Sequence, residues 1–323
     1  MSTSLSEELG SLTPTFNLAL GIGFIIVGTI GGIFNVLVFS RSTLRKTSCG
    51  MYFLIASISN ITLVITGQLP CLFTVSLTSL LTTFWYCQLR VYLTYCSSLF
   101  TRSLIVLASL DRLLLCSLNA TTRSLCNVKM ALRIIRILKL FSFILPIHVL
   151  VSNNLHLPLR ICCSDVYWLS IYDIIYQYIF VVILPSGLMS IFSFILIYRL
   201  RSQRIRLARE LRTRDKQLNW MLLSQVLFYT IFHLPVPISL TYIRITPSLI
   251  SSNYRITIEN FFSFLINTEI IYFYFSMTFI LNIIISRTFR KQFLDIWKKI
   301  NGNIFQLKHI TRIVPFNPPT LIK

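Results

Sequence analysis

The side chains that could do chemistry in this chain are few, and they sit in unusual company. Eight cysteines are scattered without a single Cys-x-x-Cys pair, which argues against a zinc site. No paired carboxylates, metal-ligand cluster or activated nucleophile stands out, so neither enzymatic bond chemistry nor a cofactor is expected. What remains is charge among apolar residues. Asp111-Arg112 closes a long apolar run that opens at Cys87, and Arg102 lies inside that run, ten residues before Arg112. As one helix, Cys87 to Arg112 spans about 37 Å, a little more than the roughly 30 Å of bilayer hydrocarbon. Cys87 then sits at one membrane face and Asp111-Arg112 at the other. Arg102, about 15 Å from Arg112, falls near mid-membrane. A guanidinium there either serves function or is paired inside a bundle. Arg102 is therefore read in two ways: bonded to Asn60 or backbone carbonyls for packing, or touching a ligand.

The elements that must hold these groups follow from composition. The chain has 323 residues, 54% hydrophobic and 12% charged, against about 25% charged in a soluble domain. Seven apolar runs are long enough to cross a bilayer: about 18–40, 51–73, 87–115, 130–152, 172–198, 217–243 and 258–285. Backbone groups in lipid must bond within their own segment, so these runs are predicted helices. The net charge of +20 sits in short basic blocks between runs, which marks topology and not nucleic-acid binding. Arg41, Arg45 and Lys46 follow the first run, and Arg123, Lys129 and Arg133 flank the fourth. An arginine-rich stretch from Arg199 to Lys216 separates the fifth from the sixth, and Arg287, Arg290 and Lys291 follow the seventh. The expected arrangement puts the amino terminus outside and the carboxyl terminus inside. Residues 1–17 are polar and acidic with no basic flank, so no cleavable signal peptide is expected there. The expected fold is an all-α membrane protein with seven helices. A short amphipathic eighth follows, carrying Phe289, Phe293, Ile296 and Trp297 at helical spacing opposite lysines.

A cysteine opening the third of seven membrane runs and an Asp-Arg pair closing it resembles the rhodopsin-like family of G-protein-coupled receptors. The resemblance covers about residues 18–299, with 1–17 as an outer tail and 300–323 as an inner one. It implies that Arg112, with Asp111 and Asp215, forms the inner switch facing a heterotrimeric G protein. Asp215 stands twenty residues before Pro235, and its plainer reading is a helix-start cap. The resemblance also implies a disulfide from Cys87 to Cys162 or Cys163 in the second outer loop. Cys49, Cys116 and Cys126 are expected as free thiols on the inner side. Asn35 stands where the family has a first-helix packing asparagine. Asn60 stands where it has an aspartate that helps hold sodium, so weak or absent sodium sensitivity is expected.

Departures are as informative. Thr94 replaces the amine-pairing aspartate of amine receptors, His233 the tryptophan before Pro235, and Ser193 a relay tyrosine. The seventh run has Thr278-Phe279-Ile280-Leu281-Asn282 in place of Asn-Pro-x-x-Tyr, with neither the proline nor the tyrosine; Asn282 is read as a polar residue of the helix core. Tyr272 stands about where opsins attach retinal, and without a lysine no Schiff base can form. Arg90, Tyr92, Thr94, Tyr95, Asp173, Tyr242, Arg244, Glu269 and Tyr272 are read together as lining a polar, aromatic outer pocket, although each alone could be an interface anchor. The expected protein is a plasma-membrane receptor for a peptide or other small polar ligand, with membrane lipids and a G protein as partners. The rivals are a seven-helix decoy or scramblase-like protein that binds ligand or lipid without coupling, and a transporter. The last would show internal repeats.

Overall fold

The computed structural model describes residues 2–73, 84–117, 119–156, 161–164, 167–202, 209–246 and 253–313. Side chains at several element ends, including those of Cys87, Cys162, Cys163, Asp215 and Arg244, lie outside that description. Seven helical spans are long and apolar enough to cross a membrane: Leu18–Phe39, Ser48–Gln68, Gln88–Leu115, Val128–Val151, Trp168–Arg199, Trp220–Ile243 and Thr257–Ile285. The chain is a seven-helix membrane bundle, and the span ends lie within a few residues of the expected runs.

The first four membrane helices are α1 (Ser2–Phe39), α2 (Ser48–Phe73), α3 (Phe84–Leu115) and α4 (Val128–Ile144), with single-turn helices at Ser42–Arg45 and Ala120–Ser124 in the connections. α5 combines Tyr167–Tyr176, a π segment Gln177–Ile183 and Leu184–Ser202. α6 combines Arg209–His233 with Pro235–Ile245, and α7 combines Asn253–Phe264, a π segment Leu265–Glu269 and Ile270–Ile285. α8 is Arg287–Ile313. The expected tail 1–17 continues α1 from Ser2 onward. α8 has 27 residues, so it is longer than the short helix expected. One addition to the helices is an antiparallel hairpin after α4, in which β1 (Asn153–His156) pairs with β2 (Ile161–Ser164), Asn153 opposite Ser164.

The bundle is apolar outside, and its apolar core holds a set of buried polar residues. Leu140, Ile144, Phe194 and Ile231 are exposed, while Asn35, Asn60, Arg102, Gln225 and His233 are buried. In water those outer side chains would demand a partner; lipid tails are as apolar as they are. Helices in lipid gain from close approach at small residues rather than from burial of oil. Glycines provide it: a Cβ on Gly32 would overlap Ile61, one on Gly28 or Gly31 would crowd Ser276 or Phe279, and one on Gly67 would overlap the Tyr272 ring. α1, α2 and α7 meet there.

Prolines shape α5 and α6. Pro185 lacks the N–H that an α-helix would direct to the Val181 carbonyl four residues back. The Tyr229 hydroxyl of α6 donates to that carbonyl instead, tying the two helices together. In α6, Pro235 cannot bond the Ile231 carbonyl, and the helix breaks at Leu234, whose N–H reaches Thr230 at 3.1 Å. At the end of α7, the Ser286 hydroxyl accepts the Phe289 N–H at 3.2 Å and caps α8. Arg290 then donates to the Ile283 and Ile284 carbonyls at 2.8 and 2.7 Å, satisfying the open end of α7. Phe293 packs on Phe34 and Phe279, so α8 turns its aromatic face to α1 and α7.

Candidate functional site

α3 is one unbroken helix containing both Cys87 and Arg112, so the two residues mark its opposite ends. At the Arg112 end, Asp111 and Arg112 are both buried, with carboxylate and guanidinium 3.5 Å apart. Adjacent helical residues point about 100° apart and do not face each other, so this contact is long. Asp111 has other support. Its carboxylate bonds Ser48, the first residue of α2, where the helix dipole favours an anion. The Cys126 thiol donates to the Asp111 carbonyl at 3.5 Å. Burial first, and then the Asp111 charge, pushes the Cys126 thiol up to about 12, so it stays a protonated donor. Cys49, Cys96, Cys116 and Cys126 are in no disulfide among the described residues. The side chain of Asp215, the third member of the expected switch, lies outside the described residues, as do the three cysteines of the expected disulfide.

One level above Arg112, amides link four helices. Gln225 on α6 donates to Asn282 on α7 at 2.8 Å, and Asn282 donates to Asn35 on α1 at 3.1 Å. Asn60 on α2 donates to the Phe275 carbonyl at 2.8 Å and to Thr278 at 3.1 Å. Arg102 is not its partner, so the packing reading of Arg102 through Asn60 is replaced. Between these residues lies a 20 Å³ cavity. Its lining includes three atoms with no protein partner, the carbonyl oxygens of Asn60 and Gln225 and the Thr101 hydroxyl. The volume suits a single water, and two acceptors with one hydroxyl match what one water can bond.

The next turn of α3 toward Cys87 is different. The Arg102 guanidinium lies 5.6 Å from the centre of the Tyr229 ring and is buried. Among the described residues no carboxylate lies within ion-pair distance of it, and its Nε has no partner. A cation–π contact contributes about 0.5–2 kcal/mol. A charged side chain at the membrane centre costs about 2.5–3.5 kcal/mol on the mildest scale. The ring alone does not offset the charge. Beside Arg102 is a 50 Å³ cavity lined also by Thr94, Tyr95, Ser98, Tyr176 and His233. The Ser98 hydroxyl, the Tyr176 hydroxyl and His233 Nε2 are buried without hydrogen-bond partners among the described residues. His233 Nδ1 faces the Tyr229 carbonyl at 3.2 Å, and a carbonyl only accepts, so Nδ1 carries the proton. The His233 ring stacks on Tyr229 at 4.1 Å and meets Tyr274 and Phe275 edge-on at 5.0 and 5.6 Å. His233 thus sits at the α6 break, between the Arg102 cavity and the α7 residues that lead to the amide chain.

The nine residues expected to line one pocket separate into groups. Thr94 and Tyr95 line the Arg102 cavity. Tyr95 donates to Asp173 at 3.1 Å and accepts from Gln177 at 2.7 Å, and Asp173 lies 3.6 Å from His148. Tyr92 turns to α4, donating to the Phe143 carbonyl at 2.6 Å. Arg90 is half-buried and its carbonyl accepts from Thr94 at 2.9 Å. Tyr242 bonds Glu259 at 2.8 Å and Arg255 at 3.2 Å on the rim of a separate 520 Å³ groove between α6 and α7. Tyr272 is buried against Gly67, and Glu269, in the α7 π segment, is buried with neither carboxyl oxygen hydrogen-bonded among the described residues. The Arg244 side chain lies outside the described residues.

The site also holds residues that the sequence does not single out, among them Ser98, Thr101, Gln177, Gln225, Tyr229 and Tyr176. Gln225, Tyr229 and His233 recur every fourth residue in an apolar run, which marks one helix face and was available as a signal. Tyr176 carried none, because α5 is aromatic on several sides. No protein-family model matches the chain, and no curated protein matches it in sequence.

Proposed function

We propose that the chain is a divergent rhodopsin-like G-protein-coupled receptor of the plasma membrane, amino terminus outside, which binds a peptide or other small polar ligand from outside. The placement of the basic residues supports that orientation, and the amphipathic α8 would lie along the inner membrane surface. The observation that carries the reading is His233. It stands directly before the Pro235 break and touches both the Arg102 cavity and the α7 wall above Gln225, Asn282 and Asn35. A ligand that repositions the Cys87-side walls of α3, α5 and α6 changes the contacts of His233, and α6 can pivot at its break. Movement of α6 below the break pulls on Gln225 and opens the space beside Arg112 for a G-protein tail. The ligand acts by favouring the open population, and only through its tighter binding to that state.

The test is guanine-nucleotide exchange on a panel of heterotrimeric G proteins with membranes carrying the wild-type chain or Arg112→Ala. Constitutive or ligand-driven exchange that is lost in Arg112→Ala is the expected result. A non-coupling ligand- or lipid-binding protein has one specific observation in its favour, since α7 runs as unbroken α-helix from Ile270 to Ile285 with no proline hinge. Exchange with none of the G proteins would establish that second reading.

A further inference from the structure

The Arg102 cavity has more donor capacity than the protein uses. From its lining we infer a buried binding site for a single small anion, chloride in ordinary media, held by the Arg102 guanidinium with the Ser98 and Tyr176 hydroxyls. Three features point there. The guanidinium is nine-tenths buried and faces no carboxylate among the described residues. Asp173, the acid nearest in the network, is engaged by Tyr95 and lies beside His148, while Glu269 is not among the lining residues. The Ser98 and Tyr176 hydroxyls, both O–H donors, line the same space without partners.

Size decides what kind of anion. A cavity of 50 Å³ has about three times the room one water needs, and is far below the roughly 300–1,000 Å³ of drug-sized ligand pockets. A monatomic ion with residual water fits, and a peptide side chain with its backbone does not. His233 contributes differently. Its Nδ1 proton is directed to Tyr229, so Nε2 offers a lone pair that orders a water beside the ion and does not donate to it. Bound there, the anion neutralises Arg102 in mid-bundle and braces α3 against α5, next to the α6 break. The same donors would also accept the carboxylate end of an extracellular ligand, and the experiment separates the two sources. The inference is independent of G-protein coupling, because its readout needs no G protein.

The purified full-length chain in lipid nanodiscs is unfolded thermally while sodium chloride replaces sodium gluconate at constant ionic strength, with parallel titrations of bromide and acetate. The expected result is a saturable rise in unfolding midpoint with chloride and bromide and none with gluconate. Tyr176→Phe should raise the half-saturating chloride about tenfold, as expected for losing one hydrogen bond to a charged group, and Arg102→Gln should abolish the dependence. Identical unfolding in chloride and gluconate would overturn the site, as would a chloride response untouched by these substitutions. Stabilisation by acetate alone would overturn the halide and assign the seat to a ligand carboxylate. If Arg102→Gln does not fold, Tyr176→Phe and Ser98→Ala decide by the same criterion.

Discussion

Two neighbouring levels of the bundle core handle buried polarity in opposite ways. At the level of Asn282, amide meets amide: Gln225, Asn282, Asn35 and Asn60 join α6, α7, α1 and α2 by direct bonds of 2.8–3.1 Å around a void that suits one water. At the level of Arg102, a guanidinium that meets only the Tyr229 ring, two hydroxyls and an imidazole nitrogen surround a larger cavity without a hydrogen-bond or ion-pair partner among the described residues. The first level is tied together by the protein's own amides, with three atoms left that one water would satisfy, and costs stability if disturbed. The second is left open to something that is not protein. In lipid this contrast is sharper than in water, because an unpaired group has no solvent to turn to. His233 stands between the levels, so whatever fills the upper one bears on the lower.

Substitution can break or sharpen that contrast. The largest effect is expected at Asn282→Ala, which orphans buried groups on both Asn35 and Gln225 and should cost about 2–3 kcal/mol in reversible unfolding from mixed micelles. A cost below a few tenths would mean that the lower level is not a latch. Tyr229→Phe, which strips the donor from the Val181 carbonyl that Pro185 leaves open, should cost about 1 kcal/mol in the same measurement. Ser98→Ala removes a hydroxyl that bonds nothing in the protein, and in gluconate it should shift stability by less than about 0.5 kcal/mol. A loss as large as that of Asn282→Ala would erase the distinction between the levels. Smallest of all, Cys126 should alkylate slowly at pH 8 in a Cys116→Ser background. Burial and the Asp111 charge hold its thiol protonated, so the rate should keep rising with pH toward about 12 instead of levelling off near 9 as for an ordinary thiol.

How far the sequence discloses this arrangement depends on the kind of signal. Runs of apolar residues mark spans because hydrocarbon thickness sets their length, and all seven lie where those runs place them. The 25-residue interval from Cys87 to Arg112 likewise defines one rod. Which face of a rod looks inward is harder to see. A helix surrounded by lipid is apolar on most sides, so the stripe that orients a soluble helix is missing. Tyr92 and Tyr242 therefore read as pocket residues, yet one turns to α4 and the other to the α6–α7 groove. Arg102 stands out by type, but its partner does not. Asn60 is spent on a backbone carbonyl, and Tyr229 is placed to meet the guanidinium with its hydroxyl on the Val181 carbonyl that Pro185 leaves open. The π segments in α5 and α7 depend on such tertiary demands and leave no periodic trace.

The coupling proposed between the two levels is tested most directly by one four-way comparison: nucleotide exchange by wild type, His233→Ala, Arg112→Ala and the double variant, reconstituted in nanodiscs with the G-protein panel. Loss of the His233 ring should change the basal exchange rate several-fold when Arg112 is present and leave it unchanged when Arg112 is absent. Equal rates for all four proteins would contradict the account.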